Sequence, residues 1–524
     1  MADYVIAGSG INALIAASLL ALKGRKVLVL ERNAVIGGCI RSEEATVPGF
    51  THDVMATTFV LFLLSPAYAA LGPELEKRGL QFAHPEIPTG VLRPGGSHLL
   101  LRKDRAANIK AFDSLAEGDG AQYGADMERL GANAAFLFAL LGGQLWSWSM
   151  AKLVAREAWR RGPRALSAFF GEALGSARHW LQPHYKSDLL HALLAPWVLH
   201  TGLGPESTYS GQMAKVIAFA LEAAGAPIVK GGAQNILAAF ERLITDHGGE
   251  IRTGADVEEV LVDEAGRATG VMLASGERIM ASEGVICSVT PAQLYGRLLK
   301  SWPGAEPQRA EARGFVHGKG NMQIHYALKS APQWHDPELG KVALLHLTPG
   351  LDGVSKAVNE AERGMLPAEP TICLGQPTAF DPSRAPDGKA ILWLQLPEAP
   401  RHIKGDAAGE IEAPADGRWT EAVREAYADR VETILSRHIP DFASLVLGRR
   451  CYSPADLEAM NVNLVGGDPY GGACTIDQFF LWRPLRGSVN HETPVKRLYH
   501  IGASTHPGPG LGGGSGFLLA SALT

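Results

Sequence analysis

DYVIAGSGINALIAASLLALKGRKVLVLE, residues 3–31, is the stretch on which the fold turns. Asp3 to Ala7 reads as a short buried strand, Leu14 to Leu22 as an apolar helix, and Lys26 to Leu30 as a second strand ending in the acid Glu31. Gly8-Ser9-Gly10-Ile11-Asn12-Ala13 joins the first strand to the helix. Strand, glycine turn, helix, strand and acid, in that order, make a βαβ unit whose turn receives a dinucleotide pyrophosphate. Gly8 permits the tight turn, and Gly10 lets the backbone approach the phosphates. Ala13 supplies a small residue where helix meets strand, in place of the usual third glycine. The helix start at Ile11 and Asn12 offers unpaired N–H groups and a positive dipole end. Glu31 stands 21 residues past Gly10, near the spacing of about 20 expected of the acid that accepts ribose hydroxyls.

The next segment separates FAD from NAD. In ERNAVIGGCIRS, residues 31–42, Arg32 adjoins the acid, and Gly37-Gly38 is followed by Arg41. Paired glycines here let a second backbone segment close over the pyrophosphate, and an Arg neutralises it. Ordinary NAD sites do not need this, and Glu31 disfavours a 2′-phosphate. The expected cofactor is FAD.

The bulk numbers agree with a soluble enzyme of two or three domains. The 524 residues exceed one simple core, and 46% apolar with 20% charged residues excludes disorder and fibrous classes. A net charge of −5 gives no reason to expect a nucleic-acid partner. The five cysteines (Cys39, Cys287, Cys373, Cys451, Cys474) are scattered, odd in number and without a CxxC pair, which fits a reducing compartment and free thiols. The apolar start lacks a basic leader region, so a cytoplasmic location is expected. The 17 histidines show no HExxH, paired-His or Cys/His spacing, and no metal is expected.

GSGINAL (8–14), ERNAVIGGCIRS (31–42) and PGFTHDV (48–54) resemble the phytoene desaturase-like family of FAD-dependent oxidoreductases, relatives of the flavin amine oxidases. The likeness resumes at Lys230-Gly231-Gly232, continues through GGEIRTGADVEEVLVDEAGRATGV (248–271), and closes in LYHIGASTHPGPGLGGGSG (498–516). The resemblance implies an α/β architecture: a Rossmann-type FAD-binding domain assembled from discontinuous segments, with an inserted mixed sheet-plus-helix substrate domain. The boundaries read as FAD-binding parts at 1–75, 225–300 and 490–524, a largely helical substrate or lid region at 76–224, and a strand-bearing substrate region at 301–489. Glu250 to Val260 is expected as a strand passing the adenine, with Val257 giving backbone contacts. The run 267–286 alternates like a hairpin with Ser275-Gly276 in its turn.

Leu498 to Ile501 reads as a strand entering Gly502, followed by a glycine-rich loop with Gly510, Leu511 and Gly512 and then a helix from Gly514. Small residues let this loop approach the ring system, and a helix start aimed at it favours negative charge there. The chain stops at Thr524, inside that expected helix, so a native end beyond it is expected. No second strand–GxGxxG–helix unit occurs, so electrons are expected to leave for oxygen, a quinone or another carrier rather than a docked NAD.

The middle of the chain speaks to substrate. Leu130 to Ala151 has no formal charge over 22 positions, but Gly142-Gly143 and its polar residues make a poor membrane span. Lys152, Arg156, Arg160, Arg161 and Arg164 follow, a pattern shared by buried lids with a basic flank and by helices lying on an anionic membrane. Trp146, Trp148, Trp159, Trp180 and Trp197 suit either core packing or the walls of an apolar substrate channel. His506 is the candidate either for proton transfer beside the flavin or for hydrogen bonding to the ring or backbone, and for it, as for His52-Asp53, the hydrogen-bonding reading is favoured. The reading that follows is dehydrogenation (desaturation) of an apolar, polyene or lipid-like substrate by hydride transfer to flavin N5. The alternatives are a flavin amine oxidase, a redox-neutral flavin isomerase, and a lipid-binding escort protein of the same architecture, with an intact nucleotide site arguing against the last.

Overall fold

The computed structural model describes residues 1–524 and contains two seven-stranded sheets joined by a helical region. In the first sheet, five parallel segments lie in the order Leu498–Ile501, the end of Arg278–Ser288, Ala2–Ala7, Val27–Leu30 and Glu250–Arg252. Parallel strands buried on both faces read as unbroken apolar runs, and VLVL and DYVIA do so. Their alternation divides two cores. Tyr4, Ile6, Val27 and Val29 pack with helices Ile11–Leu22 and Gln234–Asp246, while Val5, Ala7, Leu28 and Leu30 face the meander of Val257–Val262, Ala268–Leu273 and Arg278–Ser288.

The expected single strand at 250–260 is two. Its chain breaks at Gly254, whose positive φ and N–H bond to Asn33 O turn it from the parallel edge into the meander. The expected helix at 14–22 begins earlier, at Ile11, because Gly10 caps it without a side-chain acceptor.

The second sheet runs Val446–Tyr452, Gly320–Leu328, Ala390–Ala399, Ile372–Gly375, Val342–Leu347, Ile87–Leu92 and His98–Leu101. Thus the mainly helical segment 76–224 also lends two strands to this sheet. Period-two alternation again sorts the faces. Ile324, Tyr326, Leu345, Leu374, Leu392 and Leu394 form a core that includes Tyr427 and Val431 of helix Glu421–Ser436. Leu344, Cys373 and Trp393 face the helical region instead.

The uncharged stretch at 130–151 is broken rather than continuous. Helix Asp119–Gly142 stops at the glycine pair, and helix Trp148–Arg161 starts anew behind a Ser147 cap. No helix is long and apolar enough to cross a membrane.

Candidate active site

A cavity of about 380 Å³ opens along the carboxyl edge of the first sheet, where open α/β sheets place their ligands. Its walls bring together Gly8, Gly10, Ile11, Asn12, Glu31, Arg32, Gly37, Gly38, Val257, Gly502, Gly510 and Leu511 from the stretches singled out in the sequence. Ala13, Arg41, Gly512 and His506 are not among the lining residues.

The glycine turn is a cradle that side chains would fill. Gly8 has φ +91°, and a Cβ there would stand 3.0 Å from Ser288 O. A Cβ on Gly38 would stand 3.3 Å from Gly10 Cα, so the second glycine segment lies directly on the first. Gly37 N donates to Ser9 O at 3.2 Å and to Ser9 Oγ at 3.1 Å, which holds the two segments together.

Glu31 is buried and already organised. Its Oε2 accepts from Ser9 N (3.1 Å) and Ser9 Oγ (2.6 Å), and its Oε1 accepts from Asn33 N (2.9 Å). A carboxylate has about four lone-pair sites, so roughly one is left for a ribose hydroxyl. Asp256 faces Arg297 at 3.2 Å and Arg32 at 3.8 Å at the same end of the cavity. The bare helix start, the glycine cradle and the free acceptor on Glu31 fit a dinucleotide.

The carboxy-terminal loop closes the other side. Ser515 Oγ accepts from Gly502 N at 2.9 Å and donates to Asn12 Oδ1 at 2.8 Å, which also accepts from Gly516 N at 3.2 Å. A Cβ on Gly516 would overlap the Asn12 carbonyl oxygen, so only glycine permits this contact between helices Ile11–Leu22 and Gly514–Leu523.

Two candidate residues take other places. Arg41 pairs with Glu43, with Nη2 2.6 Å from the carboxylate, and Glu43 also accepts from the Tyr452 hydroxyl. Its charge is committed to that pair rather than to the cleft. His506 bonds Gly143 O through Nε2 at 2.9 Å, while its own carbonyl accepts from His491 Nε2 at 3.1 Å. Burial lowers its pKa to about 4, so it is a neutral tether between the terminal loop and the helical region.

His52 and Asp53 are likewise structural. Asp53 accepts from the fully buried Arg384 at 2.5 Å, and burial lowers the His52 pKa to about 2. Arg384 also reaches Asp381 (3.1 Å) and Val229 O (2.5 Å). Arg384 carries no motif signal, because its partners Asp53 and Val229 lie 331 and 155 residues away.

The inner end of the cavity carries Trp197, His200, Ile217, Leu344, Trp393 and Gln395. His200 Nε2 lies 2.9 Å from His346 Nε2, and burial lowers the His200 pKa to about 4. No metal was expected from spacing, yet the fold brings ligand atoms of His200, His346 and Cys373 within 4.8 Å of one another.

The tryptophans divide between two roles. Trp180 is core, with its Nε1 donating to Asp126 at 2.7 Å, and Trp197 borders the inner cavity. Trp146 and Trp148 border a second cavity of about 1080 Å³, in which 19 of 22 lining residues are hydrophobic. Helix Ser210–Ala224 contributes to the walls of both cavities. It turns Met213 to the outer cavity and Ile217 and Leu221 to the inner one, positions four apart on one face.

A flavoprotein with its cofactor cleft at the edge of a parallel sheet is the class that this fold and site define. The chain belongs to the flavin containing amine oxidoreductase family, which matches residues 14–433. It is 28% identical to pyridine nucleotide-disulfide oxidoreductase domain-containing protein 2 of Rattus norvegicus, over 98% of this chain and 92% of that one. It is 26% identical to the zeta-carotene-forming phytoene desaturase of Myxococcus xanthus, over 97% and 90%. A solved putrescine oxidase shares the fold with a TM-score of 0.60 and 17% identity, covering 100% of this chain and 98% of that one. The protein is an FAD-dependent oxidoreductase with the α/β architecture expected of it.

Proposed function

We propose that this protein dehydrogenates an apolar organic substrate, of the polyene or lipid-like class. FAD supplies the hydride acceptor, N5 of its ring, for a substrate C–H bond. Gly8, Gly10, Gly37, Gly38 and the N–H groups at Ile11 and Asn12 hold the pyrophosphate, Glu31 takes a ribose hydroxyl, and Val257 borders the adenine. Gly502, Gly510 and Leu511, which line the same cavity, would border the flavin ring system.

One observation carries the substrate class: the outer cavity is almost wholly apolar, and helix Ser210–Ala224 lends Met213 to its wall and Ile217 and Leu221 to the wall of the flavin cleft. A long hydrocarbon bound there loses water along its length, at roughly 25 cal/mol per Å² of apolar surface. Trp197, Trp393 and Leu344 keep the reacting end dry and oriented. One relative is a phytoene desaturase, which supports the same class. Oxygen or a quinone is the proposed electron acceptor.

The outer cavity also suits entry from a membrane surface. Trp148 and Trp159 are 84% and 89% exposed, beside Lys152, Arg156 and Arg164, which make no ion pair within the chain. Exposed indoles beside free cations match an anionic lipid interface.

Anaerobic titration of the holoprotein tests the reaction. Loss of flavin absorbance with a long apolar substrate, and none with a short diamine, is the expected result. Bleaching by the diamine alone would sink this reading in favour of amine oxidation.

A further inference from the structure

We propose that His200, His346 and Cys373 form a buried site for a thiophilic transition-metal ion, zinc or cuprous copper. The site arises from the sheet register. His346 of strand Val342–Leu347 lies directly opposite Cys373 of strand Ile372–Gly375 in an antiparallel pair, so both side chains leave the same face. His200, on the short helical segment Ala195–Thr201, meets them from the cavity wall.

The two rings share a hydrogen bond that an ion would replace, with the donor ring's proton shifting to its Nδ1. The two Nε2 atoms are 2.9 Å apart, and the three ligand atoms lie within 4.8 Å of one another. Two imidazoles bound at about 2.0–2.1 Å with this nitrogen separation subtend about 90° at the ion. A separation of about 3.3 Å gives the tetrahedral angle, so a movement of a few tenths of an ångström completes the geometry. Trp197 packs against both rings, at 4.7 Å from His200 and 4.9 Å from His346, and limits their rotation.

The chemistry of the donors selects the ion. His346 Nδ1 is buried without a partner, and Cys373 is buried and free. The cluster contains imidazole and thiol but no carboxylate, a donor set suited to zinc or cuprous copper and unsuited to calcium or magnesium. Binding releases the thiol proton, since the thiolate is the ligand. Three protein ligands leave one tetrahedral position, and His200 borders the flavin cavity, where a water or substrate heteroatom takes that position.

The test uses the flavin-loaded full chain, stripped with chelator and titrated in separate arms with zinc and with cuprous copper against a competing chelator. One tightly held ion per chain is expected in at least one arm. X-ray absorption at that metal's edge should show one sulfur at about 2.3 Å and two imidazole nitrogens at about 2.0–2.1 Å. C373A should weaken binding at least about 100-fold with flavin content unchanged. Should C373A fail to fold, H200Q serves as the second variant, and the absorption spectrum of the unaltered chain decides alone. A spectrum without sulfur, or equal affinity in the unaltered chain and a folded variant, overturns the site. None of these readouts depends on which substrate bond is oxidised.

Discussion

Arg384 Nη1 lies 2.5 Å from Asp53 Oδ2 with both side chains essentially sealed from solvent. Asp53 also accepts from Ser42 Oγ and Ala233 N, while Arg384 binds Asp381 and Val229 O. One guanidinium thus fastens the amino-terminal flavin segment, the 229–233 turn and the loop after the second sheet's Ile372–Gly375 strand. Removing it leaves two buried carboxylates uncompensated. Arg384→Met is expected to lower unfolding free energy by about 3–5 kcal/mol, read from urea unfolding. A loss under about 1 kcal/mol would refute the anchoring role.

Glu31 accepts three hydrogen bonds from Ser9 and Asn33 while bordering the cleft. Glu31→Gln turns one of its acceptor atoms into a donor. Charged hydrogen bonds contribute about 1.5–3 kcal/mol, so FAD affinity should fall about 10- to 100-fold. Fluorescence titration of apoprotein with FAD measures it, and unchanged affinity contradicts the role.

His506→Gln is expected to keep turnover within about threefold, because the ring bonds Gly143 O and does not border the cleft. His506→Ala should cost about 1–2 kcal/mol of stability through the lost bond. A fall in turnover of a hundredfold or more in both, with stability intact, would restore the proton-transfer role.

Stability should decline in mild acid. Burial lowers the pKa values of His491, His500 and His506 to about 4, against an ordinary 6.5. The unfolded chain therefore takes up these protons first, and the stability present above pH 6.5 is lost as pH falls toward 4. At pH 5 the effect is about 2 kcal/mol per histidine. Denaturant midpoints at pH 7 and pH 5 should differ in that direction; equal midpoints would mean the imidazoles are not held neutral.

Anionic vesicles should bind the protein in low salt and release it as salt rises, since exposed cations are screened. Trp148→Ala with Trp159→Ala should reduce binding at all salt concentrations, and Lys152→Gln with Arg156→Gln should flatten the salt dependence. Equal sedimentation of all forms with neutral and anionic vesicles counts against membrane docking.

The cofactor half of the molecule was legible because its signals are local. Gly8, Gly10 and Glu31 carry a turn, a close approach and an acid within one βαβ unit, and the fold brings them to one cavity. The single strand expected at 250–260 failed at Gly254, where one positive-φ residue redirects the chain. Arg41 pairs with Glu43 only two residues on, whereas the bond from His506 to Gly143 spans 363 residues and depends on tertiary packing. The His346–Cys373 pairing was hidden for the same reason: it depends on strand register, and no spacing along the chain encodes it.

The bond from Ser515 to Asn12 spans 503 residues. During synthesis, therefore, the first helix emerges from the ribosome long before the loop at Gly502 and the helix that packs on it. Until then its apolar flank, Ile15 among it, lacks the partner that later covers it. Cofactor capture is accordingly a late event in the life of the chain. A nascent polypeptide interrupted before residue 498 exposes a sticky, half-built pocket of the kind that chaperones hold and proteases clear.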